Sequence, residues 1–157
     1  MPDLNSGDKA PDFDLASDGG GRVKLSDFVG GWLVLYFYPK DDTPGCTTEA
    51  IAFSDTMGAF ADANAMVVGV SKDSPKSHDR FKAKHNLGIT LASDPDGEML
   101  ERYGVWVEKS LYGRKYMGID RATFLIGPDG VIRDAWRKVK VAGHAQAVLA
   151  ALQNDAV

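Results

Sequence analysis

The most constraining feature of this sequence is an unbroken apolar run, residues 32–37, that ends in a turn rich in proline and glycine. Such a run is typical of a β-strand covered on both faces, and the segment after the turn, residues 47–63, is predicted to be a helix interrupted near Gly58. The turn carries Cys46, the only cysteine among the 157 residues. The sequence therefore predicts that Cys46 stands at the edge of a buried sheet, beside a helix start.

Predicted strands and helices alternate along the rest of the chain. Residues 1–11 are predicted to lie along the surface, and residues 12–25 to form a hairpin around three consecutive glycines, before a short helical turn at Ser26. Residues 104–120 show no clear period and are predicted to be a long loop. Further strands are predicted at residues 65–70, 89–92, 121–126 and 131–136, and further helices at residues 75–85, 98–103 and 145–152. This order favours an α/β protein with a thioredoxin-like fold, in which helices flank a mixed central sheet with an extra N-terminal β-hairpin. A single domain is expected over residues 1–157.

Composition and charge exclude several function classes. The net charge of −4 does not favour a nucleic-acid surface, and the short cationic cluster of Arg137, Lys138 and Lys140 is typical of a solvated face. No segment approaches the roughly 20 apolar residues of a membrane span, and the N-terminus lacks the pattern of a signal peptide. A lone cysteine cannot form an internal disulfide, which fits a reducing compartment. We therefore expect a cytoplasmic protein that binds neither nucleic acid nor membrane.

The surroundings of Cys46 indicate a reactive thiol. A lone cysteine is more often a buried apolar residue, but Pro44 and Gly45 before it and polar residues after it favour an exposed turn. A helix start favours a thiolate because free N–H groups and a partial positive charge lie there. The nucleophilicity of a thiolate falls with its basicity, at a Brønsted slope of about 0.4–0.5, so ionisation alone gives little acceleration. Positioning of the substrate and stabilisation of charge must supply most of it.

Three features can supply that positioning and charge. The hydroxyl of Thr43 can bond the thiolate or a substrate, although its ordinary role would be to cap the helix. The backbone N–H groups of Gly45 and Cys46 can bind an incoming oxygen. An arginine is also needed as a fixed cation with a planar fork of donors, and the residues by themselves do not select which one.

The pattern Pro39, Thr43, Cys46 resembles the active site of the peroxiredoxins. The similarity spans nearly the whole chain and is closest to the subfamily called bacterioferritin comigratory protein or peroxiredoxin Q. The segments that carry it further are residues 9–13, 35–39, 103–106, 112–118 and 119–126. The resemblance implies a thiol-dependent peroxidase that reduces hydrogen peroxide and organic hydroperoxides through a sulfenic acid at Cys46. It also implies that Pro39 shields the thiolate, Thr43 orients the peroxide, and Arg121 stabilises the thiolate and the transition state.

The chain departs from the commonest pattern of these relatives at Ile51. Many of them carry a second, resolving cysteine at that position, five residues after the first, and no other cysteine replaces it here. The resemblance is thus to a one-cysteine form, whose sulfenic acid must be reduced by an external thiol or by a link between two chains. Thioredoxin, glutaredoxin and low-molecular-weight thiols are the expected reductants, and a monomer or weak homodimer is the expected assembly.

Several alternatives remain beside this interpretation. A thioredoxin-fold binding or chaperone-like protein with little turnover is the main rival, although the retained Pro39, Thr43, Cys46 and Arg121 argue against it. No metal or other cofactor is expected, since the three histidines show no ligand spacing, and His78 and His85 are predicted to lie on a solvated helix face. Turn chemistry explains Asp41 and Asp42 better than paired acid–base carboxylates. The aromatic residues Trp106, Tyr112 and Tyr116 are expected to pack within a loop rather than to line a substrate rim.

Overall fold

The computed structural model describes residues 4–155 and shows a seven-stranded sheet with a separate two-stranded ribbon. The strands are β1 (Asp14–Ser17), β2 (Arg22–Lys24), β3 (Trp32–Phe37), β4 (Ala65–Ser71), β5 (Thr90–Ser93), β6 (Trp106–Leu111), β7 (Arg114–Ile119), β8 (Ala122–Ile126) and β9 (Ile132–Trp136). The helices are α1 (Pro44–Asp55), α2 (Met57–Asp62), α3 (Pro75–His85), α4 (Glu98–Arg102) and α5 (His144–Asp155). Short 3₁₀ turns span Asp18–Gly20 and Leu25–Phe28.

The order of strands in the large sheet is β2-β1-β5-β4-β3-β8-β9. Strands β3, β4 and β5 pair in parallel. On one side β8 pairs antiparallel with β3 and with β9, and on the other side β1 pairs antiparallel with β5 and with β2. The predicted mixed sheet with an N-terminal hairpin is therefore confirmed, and the architecture is thioredoxin-like. The sequence predicts that residues 1–11 lie along the surface. Residues 1–3 are outside the described part of the chain, and Lys9 forms an isolated bridge with Val131.

Strand β3 is the centre of the molecule because both of its faces are covered. Its alternate side chains enter two cores: Val34 and Tyr36 pack with residues of α1, α2, α3 and α5, and Leu35 and Phe37 pack with α4 and the N-terminal segment. Each residue of the strand is buried, as the apolar run predicts. The carboxyl end of β3 consequently projects the turn at residues 38–43 from a rigid support.

Residues 104–120 form the β6–β7 ribbon and not the predicted loop. The ribbon is largely exposed on both faces, so its sequence carries no apolar alternation, and its turn at Tyr112 and Gly113 has the two positive φ angles, 51° and 79°, of a tight hairpin. The expected packing of the aromatic residues also fails at Tyr112, which is 97% exposed. Trp106 at the base of the ribbon lies under the ammonium group of Lys72, 4.6 Å from the ring centre.

Candidate active site

Cys46 lies in the first turn of α1, because the helix begins three residues earlier than the sequence predicts. The helix begins at Pro44, whose fixed φ suits the first helical position, and is interrupted at Thr56 instead of near Gly58. Cys46 is only 2% exposed and belongs to the core between the sheet and the helices, so the expected exposed turn is wrong for the thiol itself. The exposed residues are its neighbours Pro44 and Gly45. A substrate must therefore reach the sulfur past the helix N-terminus.

The structure brings Arg121 to Cys46, 75 residues away in the sequence. Phe37 at the end of β3 pairs with Ala122 at the start of β8, so the residue before β8 stands beside the turn that leaves β3. The guanidinium Nη2 donates to Cys46 Sγ at 3.4 Å. A Cβ atom on Gly45 would lie 3.3 Å from this Nη2, so the glycine leaves room for the arginine against the helix start.

Glu49 is a site residue that the sequence analysis missed. It lies one helical turn after Cys46 on the same face, and its Oε1 accepts a hydrogen bond from Arg121 Nη1 at 2.6 Å. Its side chain is 1% exposed, and its Oε2 has no hydrogen-bond partner among the described residues. Burial raises the pKa of Glu49 from an ordinary 4.5 to about 7, although the charge of Arg121 opposes the shift. The spacing of three residues places Glu49 on the same face of α1 as Cys46, but the sequence does not show that Arg121 covers this face.

The positive charge of the site is concentrated on Arg121. Burial alone would lower the pKa of Arg121, but Glu49 and Cys46 outweigh that effect and raise it. The neighbouring imidazole of His144 bonds Thr123 Oγ1 at 2.8 Å, and burial together with the charge of Arg121 lowers the pKa of His144 to about 4. His144 is thus neutral at neutral pH, and the guanidinium is the cation that faces the sulfur.

Thr43 occupies the N-cap position of α1 without capping it through its side chain. Its hydroxyl donates to the carbonyl oxygen of Lys40 at 2.8 Å, which leaves the oxygen lone pairs available to accept a hydrogen bond. In the part of the chain that the structure describes, the amides of Gly45 and Cys46 have no acceptor, as the geometry of a helix start requires. Pro39 is exposed on the same turn. The turn at residues 38–43 and the first turn of α1 thus bring together a hydrogen-bond acceptor, two N–H donors and the thiol.

The prediction of a solvated His78 is wrong. Its side chain is fully buried and bonds Asp41, whereas His85, two helical turns further along α3, pairs with Asp42 near the surface. Asp42 has the left-handed φ of 59° that turn chemistry predicts, but Asp41 is buried in a hydrogen-bond network that turn chemistry does not explain. Among residues 4–155, no three His, Cys, Asp or Glu side chains are grouped to hold a metal ion, and no helix there is long and apolar enough to span a membrane.

The raised pKa of Glu49 predicts a specific dependence of stability on pH. Between pH 4.5 and about 7 the unfolded chain loses this proton while the folded chain keeps it, so the free energy of unfolding falls as the pH rises through that interval. Glu49→Gln removes the titration. The stability of the variant relative to the wild type should therefore increase by up to about 3 kcal/mol across the interval and then level off. Denaturant unfolding at several pH values measures this difference, with the exposed Glu101→Gln as the matched control. A constant difference would contradict the raised pKa.

The chain is similar in sequence and in structure to several known proteins. Residues 6–135 match the AhpC/TSA family. Peroxiredoxin Bcp of Bacillus subtilis is 49% identical over 151 residues, which cover 96% of each chain. The PrxQ of Xylella fastidiosa, solved as a mutant, superposes with a TM-score of 0.94 at 44% identity over all of both chains. A bacterioferritin comigratory protein of Xanthomonas campestris superposes with a TM-score of 0.89 at 49% identity over 92% of each chain, and its structure addresses the alkyl peroxide reduction activity of that protein.

Proposed function

Because the chain belongs to the AhpC/TSA family and is a peroxiredoxin, a thiol-dependent peroxidase, we propose that Cys46 is its peroxidatic residue and that Arg121, Thr43, Pro39 and Gly45 complete the site. The observation that carries this proposal is the contact of Arg121 Nη2 with Cys46 Sγ at 3.4 Å. The whole chain, residues 1–157, acts as one catalytic domain.

The first step is attack of the Cys46 thiolate on one oxygen of a peroxide. A sulfur–oxygen bond forms, the oxygen–oxygen bond breaks, and the second oxygen leaves with the electron pair and takes up a proton to become water or an alcohol. Sulfur is oxidised by two electrons and becomes a sulfenic acid. Arg121 stabilises the thiolate before the step and the departing oxygen during it, because a fixed guanidinium needs no reorganisation.

The turn orients the peroxide for this displacement. Since the Thr43 proton is held by the carbonyl of Lys40, the Thr43 oxygen acts as the acceptor for a peroxide O–H. The free amides of Gly45 and Cys46 donate to peroxide oxygen. Pro39 covers the approach and keeps water from the thiolate. Together these groups hold the peroxide in a productive orientation beside the sulfur. This positioning accelerates the reaction more than ionisation of the thiol does.

Alkyl hydroperoxides and hydrogen peroxide are the substrates we assign to this site. We assign alkyl hydroperoxides because an alkyl peroxide reduction activity is described for the Xanthomonas campestris relative. We assign hydrogen peroxide because the reaction needs only an oxygen–oxygen bond.

An external thiol completes the cycle, because the chain has no second cysteine. That thiol condenses with the sulfenic acid to give a mixed disulfide and water, and a second thiol then restores Cys46 and leaves as a disulfide. We assign the reductant to thioredoxin, glutaredoxin or a low-molecular-weight thiol, and the assembly to a monomer or weak homodimer. This cycle requires a compartment in which thiols are kept reduced, and for that reason we assign the protein to the cytoplasm.

Peroxide consumption tests the proposal directly. Without a reductant the protein should consume about one equivalent of cumene hydroperoxide per Cys46 rapidly, and with dithiothreitol it should turn over many times, because an external thiol resolves the sulfenic acid. Cys46→Ser is the control and should show neither phase. Peroxide consumption by Cys46→Ser, or one rapid equivalent with no turnover in any thiol, would refute the proposed cycle.

A further inference from the structure

His78 on α3 connects that helix to the turn that carries the site. Its Nδ1 lies 2.8 Å from Asp41 Oδ2, and its Nε2 lies 3.0 Å from the carbonyl oxygen of Ala92 on β5. The side chain is 0% exposed and that of Asp41 only 4% exposed. A histidine so buried, with both ring nitrogens engaged, has one orientation, and the catalytic step proposed above does not use it.

The partners of His78 determine where its protons lie. A carbonyl oxygen only accepts, so Nε2 must carry a hydrogen for Ala92. Asp41 Oδ1 accepts from the hydroxyl of Tyr38 at 2.5 Å, and Asp41 Oδ2 accepts from Ser77 Oγ at 2.8 Å. The remaining contact, from Nδ1 to Oδ2, then holds one proton between histidine and aspartate. The pair is neutral as a whole and fully hydrogen-bonded, which is the condition under which such a pair is stable in a protein interior.

Asp41 also fixes the backbone of the turn. Its N–H donates to Asp73 Oδ2 at 2.8 Å, and Asp73 in turn accepts from Ser71 Oγ at 2.7 Å at the end of β4. The turn is therefore tied to β4 through its backbone and to α3 through the carboxylate of Asp41. Outside this network, Asp42 pairs with Lys84 and His85 at the surface, where ion pairs contribute little.

We propose that His78 is a positioning residue for the peroxidase site: through Asp41 it holds the turn at residues 38–43 so that Pro39 and Thr43 keep their places beside Cys46. The Thr43 hydroxyl is oriented by the carbonyl of Lys40, the residue next to Asp41, so a loosened Asp41 misplaces the acceptor for the peroxide. The proposal rests on the peroxidatic role of Cys46 proposed above. It predicts that His78 affects the reaction with peroxide and leaves the intrinsic reactivity of the thiol unchanged.

Two electrophiles separate positioning from a general effect on the thiol. His78→Leu should slow the reaction of Cys46 with cumene hydroperoxide by about tenfold to a hundredfold, the effect expected of a small misplacement, while alkylation by iodoacetamide changes by less than about threefold. His78→Asn keeps a donor for Asp41 but loses the bond to Ala92, so its loss should be smaller than that of His78→Leu. Stopped-flow peroxide kinetics, alkylation rates and circular dichroism of each variant measure these quantities.

His85→Asn is the matched control on the same helix and should react with peroxide at the wild-type rate. If His78→Leu does not fold, His78→Asn decides by itself and should be at least about threefold slower than the wild type with peroxide. Wild-type peroxide rates in the His78 variants, or equal losses with peroxide and iodoacetamide, would overturn the positioning role. Peroxide reduction that survives in Cys46→Ser would instead refute the proposed function, so the two failures are distinguishable.

Discussion

Replacing Arg121 by glutamine is expected to slow the reaction of Cys46 with peroxide by about 10²–10³-fold, the usual cost of removing one donor to a developing oxyanion. Arg121 Nη2 is the donor that contacts the sulfur, and Nη1 is held by Glu49. The substitution removes both the charge and the fixed fork. The fold should survive, because a pKa of about 7 allows Glu49 to take up a proton when its partner is lost. Stopped-flow measurement of sulfenic acid formation gives the rate.

Two further arginine variants define what the guanidinium contributes. Arg121→Lys keeps the charge but cannot donate to Glu49 and Cys46 from two fixed nitrogens, so its rate should lie between those of the wild type and Arg121→Gln. Arg133→Gln, which removes a partly exposed arginine paired with Asp129, is the matched control and should react normally. If Arg121→Gln reacts as fast as the wild type, Arg121 is only the ion-pair partner of Glu49.

The parts of the fold that sequence predicts well are those in which burial imposes a pattern. Strand β3 is covered on both faces and therefore reads as an unbroken apolar run, and α5 packs one face on the sheet and reads as a helical stripe ending in Leu152. The β6–β7 ribbon is exposed on both faces, so nothing constrains its alternation, and only the turn at Tyr112 and Gly113 marks it.

The residues of the site likewise divide into those that the sequence predicts and those that it does not. Cys46 and Thr43 are predictable because they lie on one local motif, and the resemblance to a family supplied Arg121, which the residues alone did not select. Glu49 and His78 were missed for a physical reason: both are polar residues on helices, where a polar residue is normally solvated. Only the tertiary structure shows that each is buried, Glu49 against Arg121 and His78 against Asp41. Burial of a polar side chain is a long-range property, since the covering elements come from distant parts of the chain.

The absence of a second cysteine should determine the fate of the oxidised protein. One equivalent of peroxide should give a chain heavier by one oxygen atom, or a reducible dimer, and excess peroxide should convert Cys46 to the sulfinic acid because no internal disulfide intercepts the sulfenic acid. Ile51 is exposed on α1, so Ile51→Cys introduces a thiol where many relatives have one. We expect this variant to form an internal disulfide and to resist overoxidation. Intact mass after differential alkylation measures each species.

The disulfide in Ile51→Cys requires α1 to open. Five residues of helix rise about 7.5 Å, whereas the Cα atoms of a disulfide lie roughly 4.4–6.8 Å apart, so Cys46 and position 51 cannot be joined within the intact helix. The first turn of α1 is the part that can unwind, because Thr43 does not cap it and two of its amides are free. Asp55→Cys, at an exposed position in the last turn of the same helix, is the matched control and should overoxidise like the wild type. If Ile51→Cys forms no internal disulfide and overoxidises at the wild-type rate, the helix does not open after oxidation, and protection of Cys46 depends entirely on the external thiol.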